Sequence, residues 1–113
     1  MNGLEYSILK ECACGAEELH VLLSLVDFAD QEQLRGFANV LSALVRDGRI
    51  ESHWGPARRD SVDANEIVSF VNDRRARGES LEDYPVGGED FMFYTTQLGL
   101  TALSESDRPI EKQ

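Results

Sequence analysis

Residues 40–54 read VLSALVRDGRIESHW, and a change of period inside them decides the fold. Up to Arg46 the apolar residues Leu41, Leu44 and Val45 recur at helical spacing. After Gly48 the run Arg49-Ile50-Glu51-Ser52-His53-Trp54 alternates instead. Ile50 and Trp54 point one way, and Arg49, Glu51 and His53 the other, which predicts a half-buried strand. Gly48 stands where a helix usually ends on a left-handed residue. Gly55-Pro56 ends the strand.

Upstream, Asp30 followed by Gln33 is a capping-box-like start for the helix that ends at Gly48. Its apolar stripe is Leu34, Phe37, Ala38, Leu41, Leu44 and Val45. Its opposite face carries Arg35, Asn39, Ser42 and Arg46, at steps of four, three and four. One stripe is suited to packing. The other is polar and holds two arginines.

Two helices precede it. Leu4, Ile8, Leu9 and Cys12 recur at helical spacing and predict a first helix ending near Gly15. Leu19, Leu22, Leu23 and Val26 form the stripe of a second, with Glu17 and Glu18 expected in its first turn, at the positive end of the dipole. Downstream, Phe91-Met92-Phe93-Tyr94-Thr95 is rich in aromatic and β-branched residues and predicts a second strand. Thr96 is then the expected N-cap of a short helix through Leu103.

Between the two strands the chain is too long for a plain loop. Asp63 and Glu66 again resemble a capping box, and Ile67, Phe70 and Val71 give a narrow apolar stripe. A helix is expected at about 63–77, ending at Gly78. Its stripe must be buried on the domain or on a second copy. Arg74, Arg75 and Arg77 at its end read either as favourable charge at a helix C-terminus or as an anion or partner contact, perhaps with the acidic, turn-rich stretch 79–90. The expected organisation is one domain over residues 1–104, with residues 56–90 as an insertion and residues 105–113 as a polar tail.

The chain has 113 residues, length for one hydrophobic core. Its formal net charge is -10. The deficit sits in residues 1–48 (net -5) and 79–113 (net -6), while residues 49–78 carry net +1. That balance argues against coating a polyanion nonspecifically. The apolar runs are too short to span a bilayer, and no basic region precedes an apolar stretch at the N-terminus. A cytoplasmic protein without membrane contact is expected.

The order of three helices, strand, excursion, strand and short helix resembles the winged helix-turn-helix superfamily, including MarR-like and PadR-like bacterial regulators. Two stretches carry the resemblance. VLSALVRDGRIESHW is similar to the Leu-x-x-Leu-x-x-x-Gly-x-Ile passage from recognition helix to first wing strand. FYTTQLGLTAL, residues 93–103, is similar to the aromatic, Thr-x-x-Gly, Ala-Leu pattern that closes many such domains. The resemblance covers roughly residues 3–55 and 90–104. It departs from the pattern in the long helical insert and in lacking the long C-terminal dimerisation helix of PadR-like repressors. The fold it implies is mainly α with a small β-wing (α+β): a three-helix core and a two-stranded antiparallel hairpin carrying an inserted helix.

The function it implies is transcriptional regulation through double-stranded DNA, with the third helix in the major groove. The DNA-binding residues would be Arg35, Asn39, Ser42, Arg46 and Arg49, with Arg58 and Arg59 of the wing on phosphates. Arginine pairs with guanine and asparagine with adenine, so the residue types suit base readout. Asp30 and Glu32 at the tip of that helix would meet phosphates at a cost. The alternative is an acidic protein-interaction or assembly module on the same frame, with another protein as partner. A homodimer would use the first helix, the insert, or both.

No enzymatic activity, cofactor or metal is expected. His20 lies in the second helix and His53 on the outward face of a strand, and no motif sets a nucleophile beside either. Gly87-Gly88 reads as a turn. Cys12 and Cys14 are too close for an unstrained disulfide and match no common zinc spacing. Cys12 is expected buried, with Cys14 in the turn after the first helix.

Overall fold

The computed structural model describes residues 3–54, 57–59, 61–78 and 91–106, apart from the side chains of His20, Trp54 and Phe91. The expectations for Gly55-Pro56, the acidic stretch 79–90, the end of the tail, and the side-chain settings of His20 and Trp54 lie outside the described residues. The elements are α1 (Gly3–Ala13), β1 (Glu17–Glu18), α2 (Leu19–Leu23), α3 (Gln31–Arg46), β2 (Ile50–Trp54), β3 (Ala57–Arg59), α4 (Ala64–Ala76), β4 (Phe91–Thr95) and α5 (Gln97–Ser106). Helices dominate, beside one small antiparallel sheet of order β1-β4-β2-β3. None of these helices is long and apolar enough to cross a membrane.

Helix α3 forms as its sequence requires. The Asp30 carboxylate accepts from the amides of Glu32 (2.9 Å) and Gln33 (3.4 Å), which satisfies two of the orphan donors of the first turn. Gln33 does not return the bond to Asp30. Its side-chain oxygen accepts from the amide of Asp27 at 3.0 Å and so ties down the preceding loop. All six residues of the predicted stripe are buried. At the far end Gly48 has φ +78, a left-handed conformation that glycine adopts without a Cβ penalty.

The sheet differs from the expected two-stranded hairpin. Glu17 and Glu18 form β1, opposite Phe93 and Met92, rather than the first turn of α2. Pairing to β4 satisfies their backbone groups, and the extended φ/ψ of Glu18 (-81, 154) makes it the residue before the helix. Helix α2 is also shorter than its stripe. The amides of Leu25 and Val26 bond to the carbonyls of Leu22 and Leu23, three residues back, so the chain tightens and leaves the helix before Val26. Arg58 and Arg59 lie in a third strand, β3, across from His53 and Ser52. At the C-terminus α5 runs to Ser106, so the expected tail loses Glu105 and Ser106 to the helix.

The predicted strands pair with each other from Ile50↔Thr95 to Trp54↔Phe91. The insert therefore leaves and re-enters the sheet at adjacent positions. Its helix α4 is capped by Asp63, which accepts from the Asn65 amide at 2.8 Å. Ile67, Val68 and Val71 are buried in the common core with α3. Each such side chain contributes roughly 1.5–3 kcal/mol when taken from water. The stripe thus finds its partner within the chain. Phe70, the third expected member, is half-buried with the Arg74 guanidinium 4.8 Å above its ring.

Cys12 is buried and Cys14 exposed, both as free thiols. Burial, with Glu17 and Glu11 nearby, pushes the Cys12 thiol up to about 12, so it packs as a small apolar residue.

The end of α3 and the start of α5 meet at one joint. The Thr96 amide donates to the Arg49 carbonyl at 2.9 Å, and the Thr96 hydroxyl donates to the Gly48 carbonyl at 2.6 Å. Thr96 also caps α5, accepting from the Gly99 amide at 3.3 Å. Gly99 is buried at this joint. A Cβ there would stand 2.3 Å from the Arg49 carbonyl oxygen and 2.5 Å from the Thr95 methyl. Gly99→Ala is therefore expected to destabilise the fold by about 1–3 kcal/mol in urea unfolding. A loss under about 0.5 kcal/mol would show that α5 slides freely over the joint.

Candidate binding groove on the third helix

The polar face of α3 opens on a groove. Arg35, Asn39, Ser42 and Arg46 line one wall, and residues 61–65, which lead into α4, line the other. The groove encloses about 450 Å³. Arg35, Asn39 and Arg46 are exposed and Ser42 is partly covered. A smaller cavity of about 220 Å³ adjoins it at Arg46, which lines both. Arg58, Arg59, Glu51 and Thr96 also line the smaller one.

The structure thus gathers six of the expected contact residues into two adjoining spaces. Arg49 is not among them. It lines a separate cavity with Glu5 and Glu105, beside α1 and α5. Arg49 lies before β2, where its carbonyl accepts from the Thr96 amide at the joint with α5.

Several residues that sequence reasoning did not single out hold α4 against α3. Gln31 and Asn72 exchange two amide hydrogen bonds, at 3.1 and 3.0 Å. Arg35 donates to the side-chain oxygen of Asn65. Arg75 reaches the carbonyl of Phe28 at 3.4 Å. Of the expected basic cluster at the end of α4, Arg74 and Arg75 therefore make contacts within the chain. The Gln31–Asn72 and Arg35–Asn65 pairs are 41 and 30 residues apart in sequence, so no local spacing announces them.

These bridges fix the level of α4. Arg35 and Asn65 are both exposed residues, and they meet across the seam between the helices. The start of α4 therefore lies beside the polar face of α3 at Arg35. Packed helices lie about 8–10 Å apart axis to axis. The DNA major groove is about 12 Å wide and admits one helix.

The charges in the smaller cavity are partly matched. Arg59 makes a forked contact to the Glu66 carboxylate, at 2.9 and 3.2 Å. Glu66 is thus drawn to β3 instead of closing the expected capping box with Asp63. Both side chains are more than a third exposed or close to it, so water screens the pair and it adds at most about 1 kcal/mol. His53 lies 2.6 Å from the Glu51 carboxylate and stacks edge-on against Tyr94, with centroids 5.0 Å apart. The hydrogen bond from His53, helped by nearby Arg58, outweighs desolvation and holds Glu51 below its ordinary 4.5.

A carboxylate with a lowered folded-state pKa stabilises the fold above its ordinary value, and that contribution is lost as pH falls through the folded value. Wild type is therefore expected to lose more stability than Glu51→Gln between about pH 5 and about pH 3 in urea unfolding, with a modest difference because the site is open to water. Parallel pH curves for the two proteins would contradict the assignment.

No family model, curated protein or solved structure matches the chain.

Proposed function

We propose that the chain is a winged helix-turn-helix domain that serves as a protein-interaction or assembly module and does not read DNA. The fold reading is supported by the element order, by the adjacent placing of β1, β4 and β2, and by the Gly48 and Thr96–Gly99 joint. The insert supplies β3 and α4 where a simple wing would turn back.

One observation carries the functional reading: α4 lies along the N-terminal half of α3, bonded to it by Gln31–Asn72 and Arg35–Asn65. That half is the part a DNA-reading helix presents to base edges. Its tip adds the exposed acids Asp30 and Glu32, which repel phosphates. A homodimer is one form such a module takes. The insert gives no reason for it, since its stripe is buried within the chain.

A second reading keeps DNA as the partner. It is favoured by the convergence of Arg46, Arg58 and Arg59 on one cavity beside the polar face of α3. Retardation of genomic DNA fragments at low and moderate salt separates the two. The interaction module shifts no fragment at either salt. A shift that weakens with salt and is lost in Arg35→Ala and Arg46→Ala would restore the regulator reading.

A further inference from the structure

The groove between α3 and the start of α4 sets hydrogen-bonding side chains beside the apolar Val62 and Ala64. Arg35, Asn39, Ser42 and Arg46 supply them from α3, and Ser61 and Asn65 from the facing wall. The one carboxylate in the lining, Asp63, is turned to the Asn65 amide as the cap of α4. Arg35 donates to the neutral amide of Asn65, which leaves its charge uncancelled by that bond. Arg46 meets Asp47 at 3.5 Å, with the two side chains 71% and 55% exposed. Water screens such a pair, and a better-placed anion displaces it. A chain of net charge -10 therefore sets two arginines against one carboxylate in the lining of this groove.

We propose that this groove binds a short acidic peptide segment of a partner protein, with carboxylates on Arg35 and Arg46 and polar groups on Asn39, Ser42 and Asn65. The proposal rests on the interaction-module reading and names its partner chemistry. Geometry sets the length. Arg35 and Arg46 are eleven positions apart on one helix, about 16 Å at 1.5 Å per residue. About five extended residues span that distance. Beyond Arg35 lie the exposed acids Asp30 and Glu32, and beyond Arg46 lies Asp47. A segment confined between them meets the two arginines most closely, with the Asp63 carboxylate of the lining turned to the Asn65 amide and Asp47 standing at the far end. A duplex cannot be so confined. It carries a charge about every 1.7 Å along its axis and brings phosphates onto the flanking acids as well.

The test is fluorescence anisotropy of the intact chain with a labelled hexaglutamate peptide, beside a labelled hexalysine peptide and a short DNA duplex. The expected result is saturable binding of hexaglutamate that falls with salt. It weakens about tenfold or more in the Arg35→Ala/Arg46→Ala double variant and is unchanged in Arg49→Ala. Because Arg35 also bonds to α4, Arg46→Ala alone provides a variant at an exposed position, expected to weaken binding severalfold with an unaltered circular dichroism melt. Absence of saturable hexaglutamate binding overturns the proposal, as does equal weakening by Arg49→Ala. If neither peptide nor duplex binds, the acidic-segment assignment falls and the interaction module stands. If the duplex binds saturably and the double variant abolishes it, both fall.

Discussion

The antiparallel pairing of β2 with β4 is the constraint on which the rest depends. It joins strands that are not neighbours in sequence, and brings Trp54 opposite Phe91. The stretch between them must pass from one side of β2 to the other, where β4 pairs. The first part of the excursion adds β3 to the open side of β2. The next part, α4, carries Ile67, Val68 and Val71, and these close onto the core shared with α3. Closing a long loop costs little more entropy than closing a short one. The burial of those side chains therefore decides where the insert settles. Its position in turn decides what α3 can touch.

Much of this was legible in the sequence. The shift of period across Gly48 located the end of α3 and the start of β2, and every residue of the apolar stripe from Leu34 to Val45 is buried. Such features are local, so spacing reports them. Three things were not legible. Glu17 and Glu18 looked like the first turn of a helix, because an acidic pair before an apolar stripe has the right local chemistry. Their pairing with Met92 and Phe93 is a long-range fact. The same holds for Arg58 and Arg59, whose place in β3 depends on β2. It also holds for Gln31, Asn65 and Asn72, polar residues with no periodic signature that hold two helices together. The polar face Arg35, Asn39, Ser42 and Arg46 was visible as a face, but the wall opposite it was not.

The insert changes what the acidic balance of the chain means. Net charge alone sets the long-range field, and that field disfavours a polyanion. The groove beside α3 works at shorter range, where screening leaves only the nearest groups. There Arg35, Asn39, Ser42 and Arg46 of α3 face Ser61, Asp63 and Asn65 from the start of α4, while further acids stand at both ends. A short acidic segment meets that long-range field with fewer charges than a long regular polyanion does. Within the insert, the fork from Arg59 to Glu66 links β3 to α4.

The account turns on α4 being docked along α3. Native-state amide hydrogen exchange reads that directly, residue by residue. The account predicts that the amides of Ile67 to Val71 exchange as slowly as those of Phe37 to Leu41 in α3, in one cooperative unit. Exchange of the α4 amides at close to the unprotected rate, with α3 still protected, would contradict it. The polar face of α3 would then stand open.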